Sequence, residues 1–212
     1  MSASRFITLE GGEGAGKSTQ IRRLGDRLKA LGHAVTITRE PGGSPGAEAI
    51  RNLLVTGETA RWSPLGETLL HFAARQEHLV QTIRPALARG EWVLCDRFID
   101  STFAYQGAAQ GLAPQTIAAL GKMVVGDTMP DLTLILDLPV DVGLARATAP
   151  ETAQGAENRY ERMGTAFHET LRQTFLARAK AEPQRCIVID ATAEIDDVET
   201  QIWHHVNARL PT

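Results

Sequence analysis

Eight consecutive residues, Gly11-Gly12-Glu13-Gly14-Ala15-Gly16-Lys17-Ser18, match the pattern G-x-x-x-x-G-K-[ST]. Glycines let the chain turn tightly enough for several backbone N–H groups to point at one anion. Lys17 adds a positive charge suited to β- and γ-phosphates, and the Ser18 hydroxyl is placed for Mg²⁺. The pattern therefore commits Gly11 to Ser18, with Thr19 behind them, to a nucleoside triphosphate. A strand-like run (RFITLE) precedes the loop and an amphipathic run follows it, so the positive end of a helix dipole faces the phosphates.

A second device is Asp96-Arg97-Phe98, which follows the apolar run WVLC. It sets a carboxylate and a guanidinium at the C-terminal edge of a strand, where ligands collect in an open α/β sheet. A guanidinium there suits a second phosphate, held bidentately, better than a base or a peptide. Two other classes of triphosphate binder are disfavoured. There is no guanine-reading N-K-x-D, and no strand ends in consecutive acids as in motor ATPases; the candidate strands end in Asp96-Arg97, Asp137-Leu138 and Asp190-Ala191.

Five apolar runs must position these groups as buried strands: Arg5–Glu10, Ala34–Thr38, Trp92–Cys95, Leu132–Asp137 and Cys186–Asp190. None alternates cleanly between apolar and polar, which fits strands covered on both faces. Helical spacing recurs between them over Lys17–Leu31, Leu69–Ala88, Thr116–Val125, Val140–Ala147, Glu161–Ala181 and Val198–Leu210, the first stopping at Gly32. Strands alternating with helices predict an α/β fold with parallel pairing through right-handed crossovers. One short, small and polar stretch, Ala149–Glu157, breaks the pattern where a mobile flap could sit.

The 212-residue chain carries 22 basic and 25 acidic residues, a net charge of −3, and 43% hydrophobic residues. That is enough to bury a core, and no linker interrupts it, which predicts one domain over 1–212. The balance excludes a dedicated nucleic-acid binder, which needs a concentrated basic footprint. Cys95 and Cys186, both inside apolar runs, are too few for a disulfide scaffold or metal cluster and read as buried free thiols. Met1–Arg5 leads straight into a strand-like run and no apolar stretch reaches the roughly 20 residues that span a bilayer. These features predict a soluble, cytoplasmic protein without a leader or membrane partner. Of the 22 basic residues 18 are arginines, a bias that base composition explains, so each arginine has to be argued by position.

Leu9–Thr19 (LEGGEGAGKST), Thr38–Gly43 (TREPGG), Phe72–Arg75 (FAAR), Cys95–Phe98 (CDRF), Ala104–Gly107 (AYQG) and Pro130–Asp137 (PDLTLILD) together resemble bacterial thymidylate kinase, one of the P-loop nucleoside monophosphate kinases. Order and spacing match from about residue 5 to about residue 207. The resemblance implies a P-loop kinase fold, a five-stranded parallel sheet flanked by helices with a short lid over about 147–162. It also implies ATP + dTMP → ADP + dTDP with Mg²⁺, and a homodimer. A kinase of another small acceptor would share this layout, whereas a non-transferring nucleotide switch has no use for the acceptor-side arginines.

The resemblance assigns roles residue by residue. Lys17 covers the donor phosphates; Arg97 and Arg39 are monophosphate and transfer-site contacts; Arg51 faces the acceptor pocket or, alternatively, is a solvated helix residue. Glu10 and Asp96 orient those cations or the waters on Mg²⁺, with Ser18 and Asp96 as the metal side chains, and Glu10, with Glu40 of TREPGG, is also placed among the acceptor contacts. Arg75 donates to a thymine carbonyl, Thr102 and Gln106 bond the base edge, and Tyr105 crowds the sugar where ribose carries its 2′-hydroxyl. Many relatives stack a phenylalanine on thymine four residues before the arginine; this chain has His71, so His71, the adjacent Phe72 or another side chain takes that place. The phosphate loop holds Glu13 and no arginine, which leaves the transfer-site cation to the lid, where Arg159 aligns and Arg162 follows one turn on. Here Ala147–Asn158 departs from relatives in holding no cation. Arg146 packs on adenine or is an exposed helix-end charge.

Overall fold

The computed structural model describes residues 5–58, 61–148, 160 and 163–210. Five strands, β1 (Arg5–Gly11), β2 (Val35–Arg39), β3 (Trp92–Asp96), β4 (Leu132–Asp137) and β5 (Cys186–Asp190), form one sheet in the order β2-β3-β1-β4-β5. Every pairing is parallel, with Ile7 opposite Leu94 on one side and Leu132 on the other. Near-continuous apolar runs fit this arrangement because both faces are covered.

Successive side chains of β1 point to opposite faces. Ile7 and Leu9 pack with Ile21, Leu24 and Leu28 of α1 (Lys17–Ala30) and, farther out, with Val198, Ile202 and Val206 from the C-terminal helix. Phe6 points the other way, into a cluster with Phe72, Leu79, Ile83, Val93 and Ile117. Glu10 falls on that second face and is fully buried, so a carboxylate is set into the layer under the C-terminal end of the sheet.

The helices keep the expected order but not every boundary. α1 ends at Ala30, just before the left-handed Gly32. α2 (Pro45–Val55) follows the TREPGG turn, with Ser44 accepting from the Ala47 amide as its cap. The run expected to begin at Leu69 begins at Pro64, capped by Ser63, as α3 (Pro64–His78). It then widens into a π turn over Leu79–Ile83 before α4 (Arg84–Ala88). Pro85 has no N–H for the i→i−4 bond, and the helix loosens just upstream of it. α5 (Ile99–Thr102) and a second π segment, Phe103–Ala109, carry the DRF turn into AYQG, a helical stretch that periodicity missed. α6 (Pro114–Val124) and α7 (Val140–Ala147) lie near expectation. α8 (Thr165–Ala181) begins four residues late, and α9 (Ile195–Arg209) three residues early. Of the expected lid at 147–162, only Ala147, Thr148 and Tyr160 are among the described residues. Cys95 and Cys186 are buried free thiols, and no described helix is long and apolar enough to cross a membrane.

Candidate active site

The C-terminal edge of β1 turns directly into the phosphate loop. Two glycines are required there by close approach. A Cβ on Gly11 would stand 2.4 Å from the Leu136 carbonyl oxygen, and one on Gly14, which has φ +67°, would stand 1.9 Å from that of Gly143. α1 then begins at Lys17 with no side-chain cap and no acid in its first turn, so its positive end is left unneutralised. The Lys17 ammonium folds back over the loop, donating to the Gly12 carbonyl at 2.7 Å and to Gly11 at 3.2 Å. Burial and the neighbouring Arg97 lower its pKa, against the pull of Asp96 and Glu13. Ser18 Oγ donates to Asp96 Oδ2 at 2.8 Å, tying the loop to the end of β3.

Arg97 is the one non-glycine among the described residues with positive φ, at 68°. That backbone strain is worth about 1–3 kcal/mol and persists only where surroundings enforce it. The amide of Arg97 donates to the Leu9 carbonyl, and Glu10 beneath accepts from Phe98 N at 2.7 Å, Ser101 Oγ at 2.6 Å and Ser101 N at 3.3 Å. Glu10 is thus the clamp that holds the DRF turn. Burial and Asp100 push its carboxyl up to about 7. It does not reach the cleft, which corrects its assignment as a direct acceptor contact. The Arg97 guanidinium donates to Gly11 O, Ser101 Oγ and Glu13 Oε1, and stands 5.1 Å over the Tyr105 ring. Burial alone would raise the Glu13 carboxyl, but Arg97, Lys17 and the Tyr105 hydroxyl hold it at about 2.

A cleft of about 920 Å³ opens over this edge, a size that suits small-molecule ligands. Lys17, Arg39, Arg51 and Arg97 all line it. Arg39 pairs with Glu48 at 3.0 Å, whose Oε1 also accepts from the Gly43 amide; Arg51 donates to the Pro41 carbonyl. Burial lowers the Arg51 pKa, and the charges of Arg39 and Arg97 lower it further. Cations that disfavour one another in this way mark a place built for an anion.

Deeper in, Arg75 is buried between the rings of Phe72 and Phe98, at 5.0 and 5.1 Å. Its Nε donates to Glu40 Oε2 at 2.8 Å and its Nη2 to Thr102 Oγ1 at 3.1 Å. The third nitrogen, Nη1, is buried with no hydrogen-bond partner. Glu40 also takes a bond from His78 Nδ1, which leaves the other ring nitrogen facing the Thr38 hydroxyl. Burial raises the Glu40 carboxyl, but Arg75 and His78 outweigh it and the net shift is downward. Thr102, Tyr105, Gln106 and His71 line the cleft beside Arg75. Phe72 does not. At 2% exposure it belongs to the core behind Arg75, so as a stacking residue it is corrected in favour of a side chain that reaches the cleft, such as His71.

At the other end, Arg146 donates to the Ala191 carbonyl at 3.1 Å and lines the cleft with Thr19, as expected, together with Ala147 and the 191–195 turn, which were not foreseen. Arg159 and Arg162 lie outside the described residues. A family model described as thymidylate kinase matches residues 9–202. The chain belongs to the thymidylate kinase family. It is 60% identical over 210 residues to the thymidylate kinase of Caulobacter vibrioides, covering 99% of both chains, and 52% identical over 208 residues to that of Bradyrhizobium sp. strain ORS 278, covering 98% of this chain and 92% of the other. The crystal structure of thymidylate kinase from Ehrlichia chaffeensis superposes with a TM-score of 0.78 at 34% identity, over 96% of this chain and 99% of that one.

Several residues in and behind the cleft of this thymidylate kinase family member were not expected there. Glu67 is buried, and its Oε1 accepts from Gln106 Nε2 at 2.7 Å, Gln110 Nε2 at 2.7 Å and the Tyr160 hydroxyl at 2.8 Å. His71 Nε2 stands 3.2 Å from the same Tyr160 hydroxyl. A signal for Glu67 was present: Glu67, His71, Arg75 and His78 recur at helical spacing on one face of the helix. Ser101, Gln110 and Tyr160 carry no such signal. For a metal, the fit rests on oxygen donors: the Ser18 hydroxyl and Asp96 carboxylate at the loop are the hard ligands Mg²⁺ prefers. No cluster of three or more His, Cys, Asp or Glu side chains that could hold a metal alone occurs among the described residues.

Proposed function

We propose a division of labour in this cleft for the reaction that the thymidylate kinase family carries out, the ATP-dependent phosphorylation of dTMP to dTDP in dTTP synthesis. The acceptor phosphate is already largely a dianion near neutral pH, since its second pKa is about 6. No general base is needed, and catalysis consists of bringing two anions into line and neutralising the charge that spreads between them. The phosphate loop and Lys17 hold the β- and γ-phosphates of ATP, with Arg146 and the 191–195 turn toward adenine. Arg39, Arg51 and Arg97 receive the acceptor phosphate, while Arg75, Thr102 and Gln106 receive the base. Tyr105 lies against the sugar. Ser18 and Asp96 would hold Mg²⁺, which when bound supplies charge neutralisation between the β- and γ-phosphates.

One observation carries this reading: five cations, Lys17, Arg39, Arg51, Arg97 and Arg146, share a single cleft with the buried Arg75 guanidinium, whose Nη1 has no protein partner. A buried unpaired donor costs about 1–3 kcal/mol, and a pyrimidine carbonyl is of the right chemistry to satisfy it. The transfer-site arginine is assigned to Arg159, beyond the described residues. The ATP-dependent pathway supports a cytoplasmic enzyme. A homodimer is supported by Leu65, Leu69 and Val80, which are 46, 48 and 43% exposed along α3 and its π turn. Light scattering after size exclusion reads that state. A coupled assay with dTMP, dUMP, dCMP, dGMP and thymidine tests the function. Strong preference for dTMP, a modest loss with dUMP of about 10–200-fold for one methyl, and severe loss with dGMP are the expected results. Equal kcat/KM for dTMP and dGMP would refute the pocket assignment.

A further inference from the structure

Gln106 is an ambiguous reader of a base, because its amide can turn either a donor or an acceptor toward a ligand. Here the choice is made by a residue outside the cleft. Gln106 Nε2 lies 2.7 Å from Glu67 Oε1, on which Gln110 Nε2 and the Tyr160 hydroxyl also converge. A carboxylate only accepts hydrogen bonds, and three donors around one oxygen leave no room for a carbonyl to approach it. One N–H of Gln106 is therefore committed to Glu67, which fixes the orientation of the amide and turns its carbonyl oxygen away from that carboxylate, toward the cleft that Gln106 lines. Alongside it stands Arg75 Nη1, a buried donor without a protein partner. Arg75 is itself fixed by Glu40, Thr102 and two aromatic rings, so it offers nothing but donors.

We propose that Glu67 is a specificity-determining positioning residue. By fixing the Gln106 amide it makes the base site a donor beside an acceptor, the complement of the carbonyl and N–H of an imide edge. Thymine and uracil carry that edge. Cytosine carries an amino donor beside a ring nitrogen acceptor, so both of its groups meet their like, and buried polar mismatches of this kind reject a ligand by about 10⁴-fold. The selection between pyrimidines thus depends on a carboxylate that touches no substrate. This inference rests on the proposal that dTMP is the acceptor.

The test is the ratio of kcat/KM for dTMP to that for dCMP in Glu67→Met, a change that keeps a helix-forming chain of similar length and removes the acceptor. Once freed, Gln106 can keep its oxygen toward thymine or turn its nitrogen toward cytosine, and the ratio is expected to fall about tenfold, the worth of one hydrogen bond. The fall is partial because Arg75 still opposes the amino group. It appears mainly in KM, with kcat for saturating dTMP nearly kept. A ratio within about threefold of wild type, including an equal loss for both substrates, would show a merely structural role and overturn the inference. If Glu67→Met does not fold, exchange of the Gln106 side-chain amide protons in the ¹⁵N-labelled wild-type protein decides: slow exchange supports the lock and rapid exchange overturns it. Failure of the wild-type enzyme to phosphorylate dTMP would instead refute the acceptor assignment, so the two failures are distinct.

Discussion

Replacing Arg75 by methionine tests the energetics at the floor of the base site. The Arg75 and Glu40 side chains are 2% and 4% exposed and joined at 2.8 Å. Removing one partner of so buried a pair costs about 3–5 kcal/mol, because the other charge is left in the interior. Methionine recovers contact with Phe72 and Phe98 but offers nothing to Glu40, which keeps only His78. For a chain of this size about 2–4 °C of Tm follows each kcal/mol, so Tm is expected to drop by roughly 10 °C at pH 8. The pH dependence carries a signature. In the wild type, burial raises the Glu40 carboxyl but Arg75 and His78 lower it more, so its stabilisation is present above the ordinary carboxylate range and lost as pH falls. Without Arg75 burial prevails and the folded carboxyl holds its proton to higher pH than the unfolded one. The variant therefore loses stability as pH rises. The gap in Tm between the two proteins should be wider at pH 8 than at pH 5, and adding Glu40→Gln should close most of it. Calorimetry at the two pH values reads all three. A drop under about 3 °C, or a gap that does not change with pH, would refute a buried charge pair as the support of the site.

Lys17→Ala should lower kcat by at least about 10²-fold in steady-state assays, the loss of one positioned cation at the transferring phosphoryl group, while circular dichroism shows the fold retained. Arg159→Ala should raise the barrier by about 2–4 kcal/mol in kcat with KM for dTMP nearly unmoved, and Arg162→Ala should be milder; a change in ATP affinity alone would make Arg159 a ground-state clamp. Burial and Asp100 raise the Glu10 carboxyl to about 7, so between pH 4.5 and 7 the folded protein binds more protons than the unfolded one. Stability to urea should accordingly fall as pH rises across that window, and Glu10→Gln should flatten the slope.

The strands were legible because each is an apolar run covered on both faces, and β4 and β5 begin and end where their residues predicted. The phosphate loop and Arg97 were legible because their types are tied to a position, the edge where a buried strand ends. The departures have physical reasons. Phe72 and His71 are neighbours on a helix, and apolarity alone does not say which of two adjacent residues turns inward; the larger apolar one went to the core. The two π segments were hidden because the widened i→i+5 turns shift the phase of the apolar positions, which a search for the 3.6-residue period does not follow. The role of Glu10 was misjudged since a carboxylate beside a phosphate loop reads as a ligand, when here it ties down the backbone of the next strand's exit. Tyr160 and Glu67 are 93 positions apart, and local pattern carries nothing about such a pair.

β1 precedes the other four strands in the chain and waits longest for its partners. It is central in the sheet, and its two partners arrive late: Trp92 pairs with Arg5, and Thr133 meets Thr8 across a separation of 125 positions. A nascent chain that ends after β3 has one edge of β1 open, together with the Leu136 carbonyl that Gly11 needs as its neighbour still unmade. The phosphate loop is made well before its neighbours: the Leu136 and Gly143 carbonyls that stand against its glycines emerge only with β4 and α7. Long-range parallel pairing of this kind is slow and leaves an apolar strand edge exposed in the meantime. During its own synthesis the chain must therefore be guarded longest at the very segment that will bind nucleotide.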